Sequence, residues 1–311
     1  MTTREVEHEI TIAAPAPAVY RLLAEVTNWP RIFPPTIHVD RVEHDGSQER
    51  IRIWATANGE AKNWTSRRAL DPEALRITFR QEVTAPPVAA MGGTWIIEPL
   101  GANESRVRLL HDYRAVDDDP HDLLWIDRAV DKNSRSELAA LKKNVEFAHA
   151  AEEVTFSFED TVHVDGSAKD VYAFINEAHL WSERLPHVAT VRLEEDTVGL
   201  QTLEMDTRAK DGSVHTTKSY RVTFPHQRIA YKQVTLPALM TLHTGHWTFT
   251  DTDQGVAATS QHTVTLNTDN IESILGCGAT VADAREYVHT ALSTNSLATL
   301  THAKAFAENR R

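Results

Sequence analysis

The chain has 311 residues, with 32 Lys+Arg against 44 Asp+Glu and a formal net charge of −12. That balance argues against a nucleic-acid partner, which needs a concentrated basic face, and no apolar run approaches the roughly 20 residues of a membrane span. Cys277 is the single cysteine, so no disulfide framework forms within the chain, and a cytoplasmic setting is expected.

Residues 6–12 alternate, with Val6, His8, Ile10 and Ile12 on one face, which predicts a strand. A turn at Ala14-Pro15-Ala16-Pro17 precedes an amphipathic helix over 18–26 with Val19, Leu22, Leu23 and Val26 on one side, ended by Asn28-Trp29-Pro30. After Pro34-Pro35, strands are predicted over 37–42, 50–57, 62–70, 75–83, 94–99 and 105–114, separated mostly by turn residues such as Asn58-Gly59 and Asp71-Pro72. A helical stretch over 122–151, with a break near Asp131, closes this half.

The same order then repeats. Val19-Tyr20 recurs as Val171-Tyr172, Trp29 as Trp181 and Trp95 as Trp247, each 152 residues on. Ser66-x-Arg68 recurs as Ser219-x-Arg221, and His111 as His262. A period this long means a duplicated domain, because solenoid units run about 20–50 residues. The expected domains are 1–151 and 152–311. Their element order predicts an α+β fold: a tandem helix-grip, in which a curved antiparallel sheet wraps a long C-terminal helix around an internal cavity.

Asn28-Trp-Pro-Arg-Ile-Phe33, Trp64-Thr-Ser-Arg-Arg68, Met91-Gly-Gly-Thr-Trp95 and Asn133-Ser-Arg135 resemble the aromatase/cyclases of bacterial type II polyketide synthases. These belong to the START/Bet v 1-like superfamily, and the likeness covers the whole chain twice, as in the two-domain members. The resemblance implies cofactor-free closure and aromatisation of the first ring of a poly-β-ketone carried by an acyl carrier protein. It also implies a chain reduced at carbon 9 and closed between carbons 7 and 12, with ketosynthase and ketoreductase as companions. Carried over residue by residue, it implies Arg68 and Ser66 as catalytic and Trp64, Met91, Trp95 and Trp29 as substrate-binding. A family tyrosine is Thr36 here. In the second copy Arg221 and Ser219 persist, Trp64 becomes Thr217, Met91 becomes His243, and Pro35 becomes His187.

The residues themselves point the same way. Trp64, Ser66 and Arg68, like Thr217, Ser219 and Arg221, lie two apart on a strand and share a face. A guanidinium stays charged and presents several N–H donors, which suits an enolate or a polarised carbonyl. His243 and Trp247 are four apart on a predicted strand, so His243 is expected to line the cavity and titrate near neutral pH as a general acid/base. His111 and His262 on the last strands are further proton carriers. Asp117–Asp119 is expected as a solvated turn without metal-ligand spacing. Lys132, Arg135, Lys142 and Lys143, with Arg31 and Arg67, form a candidate carrier-docking patch. The alternative is a non-catalytic hydrophobic-ligand carrier on the same fold, or a ligand-sensing module.

Overall fold

The computed structural model describes residues 3–57, 60–147, 153–208, 212 and 214–310. These fall into two compact units dividing between residues 149 and 150. The expected boundary at 151/152 lies outside the described residues, as do Asn58 and Gly59.

In the first unit the order is β1 (Arg4–Ile12), α1 (Ala16–Ala24), α2 (Trp29–Ile32), β2 (Thr36–Asp45), β3 (Gln48–Ala57), β4 (Glu60–Asp71), β5 (Arg76–Gln81), β6 (Val88–Gly101), β7 (Glu104–Ala115) and α3 (Pro120–Glu146). The second repeats it: β8 (Thr155–Val164), α4 (Ala168–Asn176), α5 (Trp181–Arg184), β9 (Val188–Thr197), β10 (Leu200–Arg208), β11 (Val214–Phe224), β12 (Arg228–Thr235), β13 (Met240–Thr252), β14 (Gly255–Leu266), α6 (Ile271–Leu275) and α7 (Val281–Glu308). Each sheet has seven antiparallel strands, in the orders β1-β7-β6-β5-β4-β3-β2 and β8-β14-β13-β12-β11-β10-β9. The meander puts sequence neighbours side by side, and the first strand returns to close on the last.

Each sheet buries its concave face against its long helix. In the first unit Leu138, Leu141 and Val145 of α3 meet Ile77, Trp95 and Leu109. In the second, Leu300, Ala303 and Ala307 of α7 meet Ile229, Trp247 and Phe249. The break expected near Asp131 does not occur. From Pro120 to Glu146 the only proline is at the first turn, where a missing N–H costs nothing, and Asp131 is held by His8 Nε2 at 2.9 Å and by Arg135 one turn on. The strand expected at 94–99 begins instead at Val88 and runs through Gly92 and Gly93. A Cβ on Gly93 would lie 2.7 Å from the Phe79 ring and 2.1 Å from Leu110 O. On Gly245 it would lie 2.6 Å from the Tyr231 hydroxyl. Glycine here lets an aromatic ring lie flat across the next strand. Among the described residues no helix is long and apolar enough to cross a membrane.

Candidate functional site

Trp64, Ser66 and Arg68 point inward from β4, as their spacing predicts. Arg68 is 2% exposed, and its Nη2 donates to Leu23 O at 2.9 Å and Ala24 O at 3.5 Å, the carbonyls that end α1. A cation there also meets the negative end of the helix dipole. The guanidinium sits 5.1 Å over the Trp29 ring, and Trp29 Nε1 donates to the same Leu23 O at 3.2 Å. Across the β3–β4 ladder, Glu49 pairs with Arg68, and its buried carboxylate lies 3.1 Å from Nη1. Arg41 Nε donates to the other Glu49 oxygen at 2.7 Å. Burial presses Arg68 down to about 10, against the pull of Glu49. Ser66 Oγ donates to Arg80 O at 3.0 Å.

The second unit repeats the cradle without the counter-charge. Arg221 Nη2 donates to Ile175 O at 2.6 Å, near the end of α4, and the guanidinium lies 5.5 Å over the Trp181 ring. The residue opposite it on β10 is Gln201. Gln201 Nε2 is spent on Asn176 and Glu195, while Gln201 Oε1 and Arg221 Nη1 are buried with no hydrogen-bond partner among the described residues. Burial presses Arg221 down to about 10, opposed only by the more remote pull of Tyr172 and Glu195.

Around the first cradle the interior is mostly apolar. Trp64 packs on Val26, Val39, Ile51, Ile53 and Ala55, while Trp95 lies in the core with α3. Met91 sits farther along β6 against Tyr113, Ile126 and Val130, and Thr36 is buried where β2 begins. His111 faces Phe79 at 5.6 Å between ring centres and contacts Ser134 Oγ of α3 at 3.4 Å. Burial holds its pKa down to about 4. One turn past Ser134, half-buried Glu137 borders the buried stripe of α3 formed by Ser134, Leu138 and Leu141. Its carboxylate has no hydrogen bond or ion pair among the described residues, and desolvation raises its pKa to about 7. The spacing of α3 could have singled Glu137 out as an acid beside the buried stripe, a signal the periodicity of Leu138 and Leu141 alone did not raise.

In the second unit the corresponding space holds a hydrogen-bonded network. His243 does share the inward face of β13 with Trp247. Its Nδ1 lies 2.5 Å from Gln233 Oε1, and because an oxygen only accepts, that nitrogen carries the hydrogen and Nε2 is bare. Tyr231 Oη lies 3.3 Å from His243 Nε2 and 3.4 Å from Gln261 O, either of which can accept its hydrogen, and accepts from His262 Nδ1 at 2.8 Å, which also lies 3.0 Å from His243 Nε2. His262 Nε2 then accepts from Ser296 Oγ of α7 at 2.7 Å and Ser260 Oγ at 3.0 Å. The expectation that His243 titrates near neutral pH is not met. Burial and neighbouring His262 press it down to about 3, and burial presses His262 down to about 4, so both are uncharged imidazoles at pH 7.

Other expected residues lie apart from the network. Thr217 is buried near the start of β11, its hydroxyl 3.5 Å from Met205 O, and Ser219, half-buried, pairs with Gln233. His187 stands just before β9, its pKa lowered by burial. Among the four cations expected on α3, Arg135 is paired with Asp131, and Lys142 donates to Thr11 O and contacts Glu146. Arg67 is paired with Glu82. The expected absence of metal-ligand spacing near Asp117–Asp119 needs correcting: donor atoms of Asp119, His121 and Asp122 lie within 4.8 Å of one another. They meet because Asp119 caps α3, accepting from the backbone N–H of His121 and Asp122.

Two gripped helices, each beside a sealed arginine cradle, define a duplicated helix-grip protein with polar groups inside. Residues 3–146 and 155–301 match the family described as polyketide cyclase / dehydrase and lipid transport, and the chain belongs to it. It is 65% identical over 305 residues to a granaticin polyketide synthase bifunctional cyclase/dehydratase of Streptomyces virginiae, covering 96% of this chain and 98% of that one. An actinorhodin polyketide synthase bifunctional cyclase/dehydratase of Streptomyces coelicolor is 45% identical, with 97% and 96% covered. Among solved structures it is similar to the di-domain ARO/CYC BexL from the BE-7585A biosynthetic pathway, with a TM-score of 0.92, 67% identity and 98% and 99% of the chains covered. The di-domain ARO/CYC StfQ from the steffimycin biosynthetic pathway follows at a TM-score of 0.90 and 35% identity, again with 98% and 99% covered.

Proposed function

We propose that this protein is a cofactor-independent polyketide cyclase and dehydratase. It closes the first ring of a poly-β-ketone by intramolecular aldol addition and then eliminates water. The observation that carries this reading is the 65% identity, over nearly the whole of both chains, to a relative named as a bifunctional cyclase/dehydratase. The substrate is a chain reduced at carbon 9 and held on the phosphopantetheine arm of an acyl carrier protein, supplied by a ketosynthase and a ketoreductase. Closure joins carbons 7 and 12.

In the first unit Glu137 takes the proton between two carbonyls, a carbon acid already weak enough in its C–H bond for a carboxylate to serve. Arg68, its Nη atoms engaged, acts on the enolate through its positive field, while Trp64 and Met91 limit how the chain can fold. Ser66 keeps the strand in register through Arg80 O. His111, neutral and in contact with Ser134, moves a proton at the new alkoxide. The carrier protein docks on the α3 stripe that bears Lys132 and Lys143.

The test is reconstitution with a minimal synthase and ketoreductase, with and without this protein. A shift of products to the 7,12-closed, dehydrated ring is the expected result. An unchanged product distribution together with tight binding of a polyketide analogue would mean a non-catalytic carrier instead.

A further inference from the structure

We propose that the second unit holds its own site for water elimination, in which Tyr231 relays a proton from the carbon beside a carbonyl to the departing hydroxyl of a ring-closed β-hydroxy ketone. This rests on the reading above that the protein acts on such a product, and assigns the second half of the reaction to named atoms.

Three observations carry it. Tyr231 is half-buried, unlike His243, His262, Ser260 and Ser296, and its ring lies on the concave face over Gly245. Its hydroxyl lies between an unprotonated acceptor, His243 Nε2 at 3.3 Å, and a donor, His262 Nδ1 at 2.8 Å, and that donor also reaches His243 Nε2 at 3.0 Å. Directly across the β11–β12 ladder from Tyr231 stands Arg221, 2% exposed, with Nη1 unpartnered and no carboxylate against it. A buried cation without a counter-charge is costly to the fold and is well placed to receive an anion. The first unit keeps a histidine in contact with a serine of its long helix, His111 with Ser134, but lacks the rest. Phe79 stands where Tyr231 does, Met91 where His243 does and Leu109 where Ser260 does, and Glu49 already neutralises Arg68.

The steps balance in protons. As the α-carbon gives up its proton to the Tyr231 oxygen, the tyrosine passes its own to His243 Nε2, leaving a substrate enolate in the field of Arg221. The enolate's electron pair then forms the carbon–carbon double bond as the carbon–oxygen bond breaks, its pair leaving with the hydroxide, which takes a proton from Tyr231. His243 Nε2 returns the stored proton to the tyrosine, so the network ends as it began and one water is released. Burial favours a protonated Tyr231 and a neutral His243, so His243 holds the proton only while the enolate charge stands nearby, and gives it back as that charge leaves with the hydroxide. Gln233 fixes the His243 tautomer through Nδ1, and the unprotonated His243 Nε2, 3.0 Å from His262 Nδ1, places the His262 hydrogen on Nδ1 and leaves its Nε2 to Ser296 and Ser260.

The first unit supplies the substitutions for the test. Tyr231→Phe and His243→Met install residues that the same fold already accommodates at those places. Two assays run in parallel on the full chain: elimination from a synthetic ring-closed β-hydroxy ketone thioester, and ring closure in the reconstituted synthase. Tyr231→Phe is expected to slow elimination on the order of 100-fold and to leave ring closure unchanged, so that the hydroxylated, closed product accumulates. His243→Met, acting through Tyr231, is expected to shift the same product ratio, whereas mere structural damage would lower both steps together and leave the ratio alone. Elimination by Tyr231→Phe at the wild-type rate would overturn the proposal. Failure of the unaltered protein to close rings would overturn the broader reading, while the pre-closed probe would still report on this site.

Discussion

At the end of its first helix each unit buries an arginine under a tryptophan, but the residue across the neighbouring strand is Glu49 in one and Gln201 in the other. Where the first unit places Phe79, Met91 and Leu109 on the concave face, the second places Tyr231, His243 and Ser260. The scaffold feature common to both is the arginine tying a helix C-terminus to the sheet. What changed around it is the polarity of the interior. One unit neutralises its cation and surrounds the space with apolar walls and a lone acid; the other leaves the cation bare and strings hydrogen bonds beside it.

The largest effect that would sharpen this contrast comes from the counter-ion. Glu49→Ala leaves Arg68 buried without a carboxylate and is expected to destabilise the first unit by about 3–5 kcal/mol. Gln201→Ala removes hydrogen bonds but no charge, and is expected to cost the second unit only about 1–3 kcal/mol. Urea unfolding, assigned to the two units by hydrogen exchange, measures both. Equal losses would mean that the pairing of Arg68 with Glu49 contributes nothing special.

Next in size is Glu137. Its folded pKa of about 7 lies above its ordinary 4.5, so the folded state holds the extra proton between those values and stability falls as pH rises through them. Glu137→Gln is expected to remove that slope. The same variant is expected to lower ring closure on the order of 100-fold at pH 8 and to abolish the rise in rate centred near pH 7. A pH–rate profile unaltered in Glu137→Gln would take the acid out of the mechanism.

A smaller effect is the acid sensitivity of the second unit. His243 and His262 are held near 3 and 4 when folded and return to about 6.5 when unfolded, so the unfolded chain binds more protons below neutrality. Their contribution is fully present above pH 6.5 and is lost as pH falls through 4 to about 3. The first unit has His111 alone at the corresponding place. Acid titration followed by hydrogen exchange is therefore expected to open the second unit first, with His243→Met flattening its slope. The reverse order of opening would contradict the contrast.

The smallest expected effect is at the surface. Arg135 and Lys142 are already engaged, so carrier docking on α3 rests on Lys132 and Lys143. Lys132→Glu with Lys143→Glu is expected to slow turnover of carrier-bound substrate a few-fold at low salt and to leave a free thioester analogue unaffected, with added salt mimicking the loss. Equal rates on the carrier-bound substrate would remove α3 as the docking face.

Much of this was legible in the chain. The spacing near 152 residues established the duplication, and the period of two placed Trp64, Ser66 and Arg68 on one face and put His243 with Trp247, because side-chain alternation along a strand is fixed by backbone geometry alone. What periodicity does not contain is the identity of the group across the gap. Only the antiparallel register set Glu49 against Arg68 and Gln201 against Arg221, and only the wrap of the sheet around its helix brought Ser296 of α7 to His262 of β14, 34 residues away in sequence. The protonation states followed from that closure too. His243 and Glu137 have unremarkable sequence neighbours, and it is desolvation by distant elements that holds one neutral and lifts the other toward pH 7.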